Sequence, residues 1–356
     1  MGSRSPRDKH VALIGYGLGG AAFHAPLIDV TPGLRLACIV TSNPERQREA
    51  RQRYPDARVL ESADQLWQHA AEIHLVVIST PNRSHVPLAL AALNAGLPVV
   101  VDKPIATSSA DARRLVSEAE HRRLLLTVYQ NRRYDGDFFT LRRLLNENTL
   151  GVVLRFESRF ERWRLTPKAG WREHADPDDA GGLLFDLGSH LIDQALVLFG
   201  PVTHVYAELD RRRPGVHVDD DVFVALAHAS GVRSHLYMTV LAADRGPRLR
   251  VLGDRGAYTK FGMDPQEEAL RRGERPEGAA WGVEPPEQWG TLTVPDRSER
   301  VPTERGAYQD FYAGVAASLA TGAPPPVDPR DAIATLEIIE AARRSSVEHT
   351  VVPLAP

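Results

Sequence analysis

The 356-residue sequence has a single cysteine, Cys38, so no intramolecular disulfide can form. That thiol lies inside the apolar run 34–40, which suits a buried, inert side chain. No cysteine and histidine set has the spacing of a zinc site, so no metal is expected. Excess charge of either sign is also missing. The formal net charge is −3, with both signs interspersed, which excludes the electrostatic footprint of a nucleic-acid or membrane-surface binder. No apolar run approaches the roughly 20 residues that a membrane-spanning helix needs. Residues 1–9 are polar and basic without the apolar segment of a signal peptide, and read as a disordered leader of a cytoplasmic protein. Internal repeats and low-complexity stretches are lacking. The length suggests two domains, and 43% hydrophobic residues supply ample core.

Val11-Ala12-Leu13-Ile14 reads as a short strand followed at once by Gly15-Tyr16-Gly17-Leu18-Gly19-Gly20 and a helical run. Strand, G-x-G-x-x-G and helix is the dinucleotide-binding order. Gly15 serves the tight turn, Gly17 the close approach of pyrophosphate, and Gly20 the packing of helix on strand. His24, one turn into the helix, reads as structural or cleft-lining. The second strand, 34–40, ends in Thr41-Ser42-Asn43-Pro44-Glu45-Arg46, without the acidic residue that takes the ribose hydroxyls of NAD. A carboxylate about 4 Å from a 2′-phosphate would cost several kcal/mol, so its absence permits NADP. Ser42 can donate a hydroxyl. Arg46 sits in the first turn of the helix that Asn43-Pro44 opens, and is either a phosphate ligand or an ordinary surface arginine. NADP is the expected cofactor, with NAD possible.

Strand and helix patterns then alternate: strand 73–78, helix 84–95, strand 98–101, helix 108–122 and strand 124–129. This predicts a doubly wound parallel sheet, with ligands at the carboxyl ends of its strands. Thr80-Pro81-Asn82 follows one strand, with His85 in the next helix, and these three polar residues are candidate cofactor contacts. Asp102-Lys103-Pro104 follows another. A lysine there points into the crevice, unless it is a solvated loop residue. After residue 129 the pattern changes to long alternating strands, which predict an open, mostly antiparallel sheet with helices on one face. The boundaries are therefore a leader at 1–9, a dinucleotide-binding domain at 10–129, and a substrate-binding and oligomerisation α/β domain at 130–356. The last helices are free to pack back on the first domain. Residues 264–288 read as a long surface excursion, and the helices near 308–320 and 329–345 close the chain.

Within the second domain, Gly181-Gly182-Leu183-Leu184-Phe185-Asp186-Leu187-Gly188-Ser189-His190-Leu191-Ile192-Asp193 spaces Asp186, His190 and Asp193 at i, i+4 and i+7. On a helix they share one face and form a polar stripe on a core-packed element. The two glycines read as room for backbone to approach a ligand. The competing reading makes Asp186 an N-cap, His190 a satisfied core histidine and Asp193 a surface charge.

The combination of GYGLGG, STPN with His85, DKP at Asp102–Pro104 and GGLLFDLGSHLID resembles the glucose–fructose oxidoreductase / inositol dehydrogenase / MocA (Gfo/Idh/MocA) family. The segments YQNRRYDGDF, WRE and KFGMDPQEEALRRG are most similar to its NADP-linked scyllo-inositol dehydrogenase branch. The resemblance implies an N-terminal Rossmann domain, a C-terminal α/β domain, and dimers or tetramers joined through the C-terminal sheet. It also implies hydride transfer between nicotinamide and a secondary alcohol or ketone of a cyclitol or sugar. By position, Lys103 matches the family's catalytic lysine, and Asp186 and His190 match its active-site aspartate and histidine. A cis Lys103–Pro104 peptide is implied too. Asp102 stands where the family usually has glutamate, which alters its reach to cofactor or lysine.

Hydride transfer needs a group to take the hydroxyl proton, and His190 is the natural acceptor. Asp186 would bind substrate or orient the imidazole, and Lys103 would stabilise the alkoxide and, as a cofactor contact too, bridge cofactor to substrate. The roles of lysine and histidine are exchangeable at this level. Asn131, Arg133, Trp163, Arg164 and Arg172 are candidate substrate-pocket residues, with ordinary ion-pairing or packing as the alternative. Two other functions stay open: a non-catalytic dinucleotide sensor and an NAD-recycling glycosidase.

Overall fold

The computed structural model describes residues 8–167, 170, 173 and 179–354. The chain begins with β1 (Lys9–Ile14), a π-helical turn (Gly19–His24), α1 (Ala25–Val30), β2 (Leu34–Val40), α2 (Pro44–Arg53), β3 (Arg58–Leu60) and α3 (Ala63–Trp67). It continues through β4 (Leu75–Ile78), α4 (His85–Asn94), β5 (Val99–Asp102), α5 (Ser109–Arg122), β6 (Leu126–Tyr129), α6 (Gly136–Asn146) and β7 (Val153–Glu161). A second π-helical turn (Leu184–Gly188) leads into α7 (Ser189–Phe199), followed by β8 (Val202–Asp210), β9 (Asp221–His228), β10 (Arg233–Thr239), β11 (Leu249–Gly253) and β12 (Ala257–Lys260). The rest is α8 (Gln266–Arg271), β13 (Gly290–Val294), β14 (Arg297–Val301), α9 (Gln309–Thr321), α10 (Pro329–Glu348) and β15 (Val352–Pro353).

These elements fall into two compact units. Unit 1 holds the chain up to Asn131 together with Pro265–Trp281 and Ala307–Ala332, and unit 2 holds the remainder. Unit 1 contains a six-stranded sheet in the order β3-β2-β1-β4-β5-β6, all parallel. Its central strands are continuous apolar runs because helices cover both faces: Val11, Leu13, Val76, Val77, Val99 and Val100 are fully buried. The strand order reverses between β1 and β4, so the loops after these strands part there and leave the place where such sheets take ligands. Lys9 already belongs to β1 and donates its N–H to the Gly33 carbonyl (2.8 Å). The rest of the expected leader, residues 1–7, lies outside the described residues.

The helices of unit 1 start where local chemistry says they should. Asn43 accepts the N–H groups of Glu45 and Arg46 (3.0 Å each) and Pro44 follows it, which opens α2. Ser108 accepts the Asp111 N–H (3.1 Å) and opens α5, which ends at Arg123 in the left-handed region. The excursion expected over 264–288 contains α8, whose Gln266 accepts the Tyr308 N–H (2.7 Å). That long-range bond, 42 residues apart, holds a helix too short to stand alone.

Unit 2 is built on a nine-stranded sheet in the order β14-β13-β12-β11-β7-β10-β9-β8-β15. All its pairings are antiparallel except β7 with β10. Burial alternates residue by residue along β9 and β10. The inward set, with Val224, Leu226, Leu236 and Met238, packs with Phe156, Leu191 and Ile192 as the core. The alternate set on these strands carries Phe223, His235 and Tyr237, half-buried. Among the described residues no helix is long and apolar enough to cross a membrane.

Candidate functional site

In unit 1 the candidate cofactor residues gather at the carboxyl ends of β1, β2, β4 and β5. The Gly15 N–H bonds the Val40 carbonyl (2.9 Å) and the Ser79 N–H bonds the Ile14 carbonyl (2.8 Å), so the three strand ends are tied together. Gly15 has φ +99°, and a Cβ there would lie 2.2 Å from the Ser79 carbonyl oxygen; only glycine lets the loop press this closely on β4. Gly20 is packed against the Gly15 carbonyl in the same way. Gly17 differs, since a Cβ there would meet only the Arg46 guanidinium, at 3.7 Å. Gly19 is also closed in, since a Cβ there would lie 2.5 Å from the Ser79 hydroxyl, so of the loop's four glycines Gly17 is the one that leaves space open beside a cation, which fits a dinucleotide phosphate. Arg46 reaches this place because the Asn43 cap sets it in the first turn of α2. Ser42 and Arg46 are exposed.

Further along the same strand ends, Thr80 accepts a hydrogen bond from the Ser84 hydroxyl (2.8 Å) and Asn82 is buried. His85 is buried with both ring nitrogens spent on backbone: Nδ1 lies 2.8 Å from the Pro104 carbonyl oxygen and Nε2 lies 2.9 Å from that of Thr80. Burial pushes its pKa down, against the opposing pull of Asp102 and the two carbonyls. His85 is therefore a brace between the loops after β4 and β5. Lys103 follows β5, half-buried, and its peptide bond to Pro104 is cis.

Asp102 explains how the shorter acid is accommodated. Oδ1 accepts the N–H of Lys103 (2.8 Å), and Oδ2 accepts the Ser79 hydroxyl (3.0 Å) and lies 3.4 Å from Nε2 of His24. The Nδ1 of that fully buried histidine lies 2.6 Å from the Tyr312 hydroxyl, and its ring packs on Tyr129 with centroids 4.4 Å apart. Burial alone would raise the Asp102 pKa. The His24 contact, with the charges of His85 and Lys103, outweighs it and holds the carboxyl well below the ordinary carboxylate range. Burial pushes the Tyr312 phenol far up. His24, Ser79 and Tyr312 thus belong to the site's support. Of these, His24 stood out in sequence as a polar residue in an apolar helical run and Ser79 as the first residue of the STPN segment, while Tyr312 carried no signal.

In unit 2 the stretch around Asp186 is not one regular α-helix. Asp186 lies on the π-helical turn and is half-buried, while His190 and Asp193 lie on α7 and are buried. The wider turn rotates Asp186 relative to the expected i, i+4 stripe. Asp193 takes both arms of Arg133, at 2.8 Å to Nε and 2.6 Å to Nη2, which holds that arginine in place. Beside them Gln194 donates to the Arg132 carbonyl (2.9 Å) and accepts from Arg248 (2.9 Å). Among the other pocket candidates, Asn131 is buried at the end of unit 1, and Trp163 is 53% exposed on an isolated bridge to Leu241. Arg172 lies outside the described residues. Arg164 pairs with Glu173 (2.5 Å), which also pairs with Arg213, and Arg213 pairs with Asp220 (2.9 Å). Asp219 and Asp220, both bound to backbone N–H groups, were missed in sequence; the one trace of them is the acid run Asp219-Asp220-Asp221 that leads into β9.

Comparison with known proteins covers nearly the whole chain, although the second match includes Pro265–Trp281 and Ala307–Ala332, which belong to unit 1. Residues 9–130 match the oxidoreductase family's NAD-binding Rossmann fold, and residues 142–354 match its C-terminal alpha/beta domain. The NADP-linked scyllo-inositol 2-dehydrogenase IolW of Bacillus subtilis is 35% identical over 99% of this chain and 98% of its own. The oxidoreductase YdgJ of Escherichia coli is 40% identical over 97% and 98%. The solved structure of yvaA from Bacillus subtilis superposes with a TM-score of 0.93 at 35% identity, covering 99% of this chain and all of that one. With a Rossmann unit, a glycine cradle at its strand ends and both domain matches in order, the chain belongs to the Gfo/Idh/MocA family of oxidoreductases.

Proposed function

We propose that this oxidoreductase is an NADP-dependent dehydrogenase that moves a hydride between nicotinamide and a secondary alcohol or ketone of a cyclitol or sugar, with a scyllo-inositol-like substrate favoured. The observation that carries the cofactor choice is Arg46 beside the open space at Gly17, with no carboxylate at the end of β2. The substrate class rests on the full-length similarity to a scyllo-inositol 2-dehydrogenase. In this reading residues 10–129 bind the dinucleotide, through Gly15, Gly17, Gly20, Ser42, Arg46, Thr80 and Asn82, with His85 holding Thr80. The C-terminal domain, expected over 130–356 and reduced by the stretches Pro265–Trp281 and Ala307–Ala332 that belong to unit 1, binds the polyol.

The bound nicotinamide supplies the hydride acceptor. The chain's own part is to hold the carbinol and to manage its proton. His190 accepts the hydroxyl proton, Asp186 orients the imidazole or the substrate, and the Lys103 ammonium stabilises the developing alkoxide. Asp193 holds Arg133 rather than reacting. The outer row of β9 and β10, where the Phe223 and Tyr237 rings lie 5.0 Å apart and Arg159 covers Tyr237, supports a homodimer or homotetramer formed through this sheet.

The test is nicotinamide absorbance with purified protein, NADP or NAD, and scyllo-inositol, myo-inositol and glucose. Turnover with NADP and scyllo-inositol is the expected result. Turnover on another polyol keeps the chemistry and overturns the substrate. Cofactor binding without any turnover favours a dinucleotide sensor, and glycoside cleavage without net reduction favours a cofactor-recycling glycosidase.

A further inference from the structure

The glycine pair ahead of the second π-helical turn has a partner other than a ligand. Gly182 has φ +94°, and a Cβ there would lie 2.3 Å from Oδ1 of Asp219. The other carboxylate oxygen of Asp219 accepts the Leu184 N–H (2.7 Å), and its backbone carbonyl accepts the Leu183 N–H (3.0 Å). These are amides at the start of a helical segment, where no intrahelical carbonyl reaches them. Two residues on stands Asp186, whose own N–H bonds the Gly182 carbonyl (3.0 Å). The Asp219 carboxylate therefore lies under the one turn that places Asp186, and the glycine makes room for it. Burial pushes the Asp219 pKa up, against the amide hydrogen bonds and the charge of Arg343, so its carboxylate is kept at some cost to folding.

We propose that Asp219 is the positioning residue of the Asp186 turn, and that residue 182 is glycine because a side chain there is both strained at φ +94° and set against that carboxylate. The proposal rests on Asp186 acting in the reaction, as argued above. A charge-assisted hydrogen bond to a helix-start amide is short and directional, so its loss lets the turn relax without unfolding the core behind it. Asparagine at 219 keeps one oxygen able to accept from Leu184; alanine keeps none.

The test compares Asp219→Ala, Asp219→Asn, Gly182→Ala and the Asp219→Ala/Gly182→Ala pair, measuring kcat, KM, NADPH affinity by fluorescence and amide hydrogen exchange over 183–186. Asp219→Ala is expected to lower kcat about tenfold, to leave NADPH affinity unchanged, and to speed exchange at 183–186. Asp219→Asn should recover most of kcat. The double variant should be no worse than Gly182→Ala alone, because both changes remove one contact. If Asp219→Ala fails to fold, Gly182→Ala carries the same test, since it displaces the carboxylate without deleting it. Wild-type kcat and exchange in either single variant, or independent addition in the double, overturns the proposal. Full activity in Asp186→Asn would overturn the role of Asp186 instead, and exchange at 183–186 would still decide on Asp219.

Discussion

Replacing Arg46 with alanine tests the cofactor assignment at its narrowest point. The guanidinium lies 3.7 Å from where a Cβ of Gly17 would be, so a group bound over Gly17 comes within its reach. Against a 2′-phosphate it can make a charge-assisted hydrogen bond, worth roughly 1.5–3 kcal/mol. Arg46 is exposed, and solvent screening puts the value toward the lower end. Because each 1.4 kcal/mol is tenfold in affinity, NADPH should bind about tenfold to thirtyfold more weakly to Arg46→Ala. NADH has no 2′-phosphate and should change by less than about threefold, within the range of a surface substitution. Fluorescence titration of both cofactors at two salt concentrations measures the effect, and the loss for NADPH should shrink at high salt. Equal losses for both cofactors, or none for either, would refute the reasoning.

Lys103→Met keeps the length of the side chain and removes its charge, and should lower turnover by about a hundredfold or more with NADPH affinity nearly unchanged; steady-state kinetics beside fluorescence titration checks both. Asp102 has a folded pKa below its unfolded value, so its contribution to stability is complete above about pH 4 and is lost as pH falls toward the folded value. Denaturant midpoints of wild type and Asp102→Asn should therefore differ by a constant amount from pH 5 to 8 and converge below about pH 4; a gap that does not narrow in acid would show that the Asp102 charge is not what His24 and Ser79 hold.

Much of unit 1 was legible because its signals are local. Buried parallel strands must be apolar runs, the loop glycines are demanded by close backbone contacts, and Asn43 and Ser108 cap the helices they precede. The same locality located Lys103 at a strand end. Short elements such as β3, α3 and β15 went unseen, since they depend on neighbours for stability rather than on a pattern of their own.

The sequence by itself determined the two-part α/β plan and the dinucleotide loop, because their strand, helix and glycine patterns are local, while the roles proposed for Lys103, Asp186 and His190 came from the family resemblance. Only the tertiary structure decided what supports them. His24 and Ser79 meet Asp102, and Tyr312 meets His24 across 288 residues. Gly182 and Asp219 meet across 37 residues, and Arg133 and Asp193 across 60. No periodicity records such pairings. Their partners are chosen by the packing of distant elements, and a buried polar group takes whichever neighbour the fold delivers.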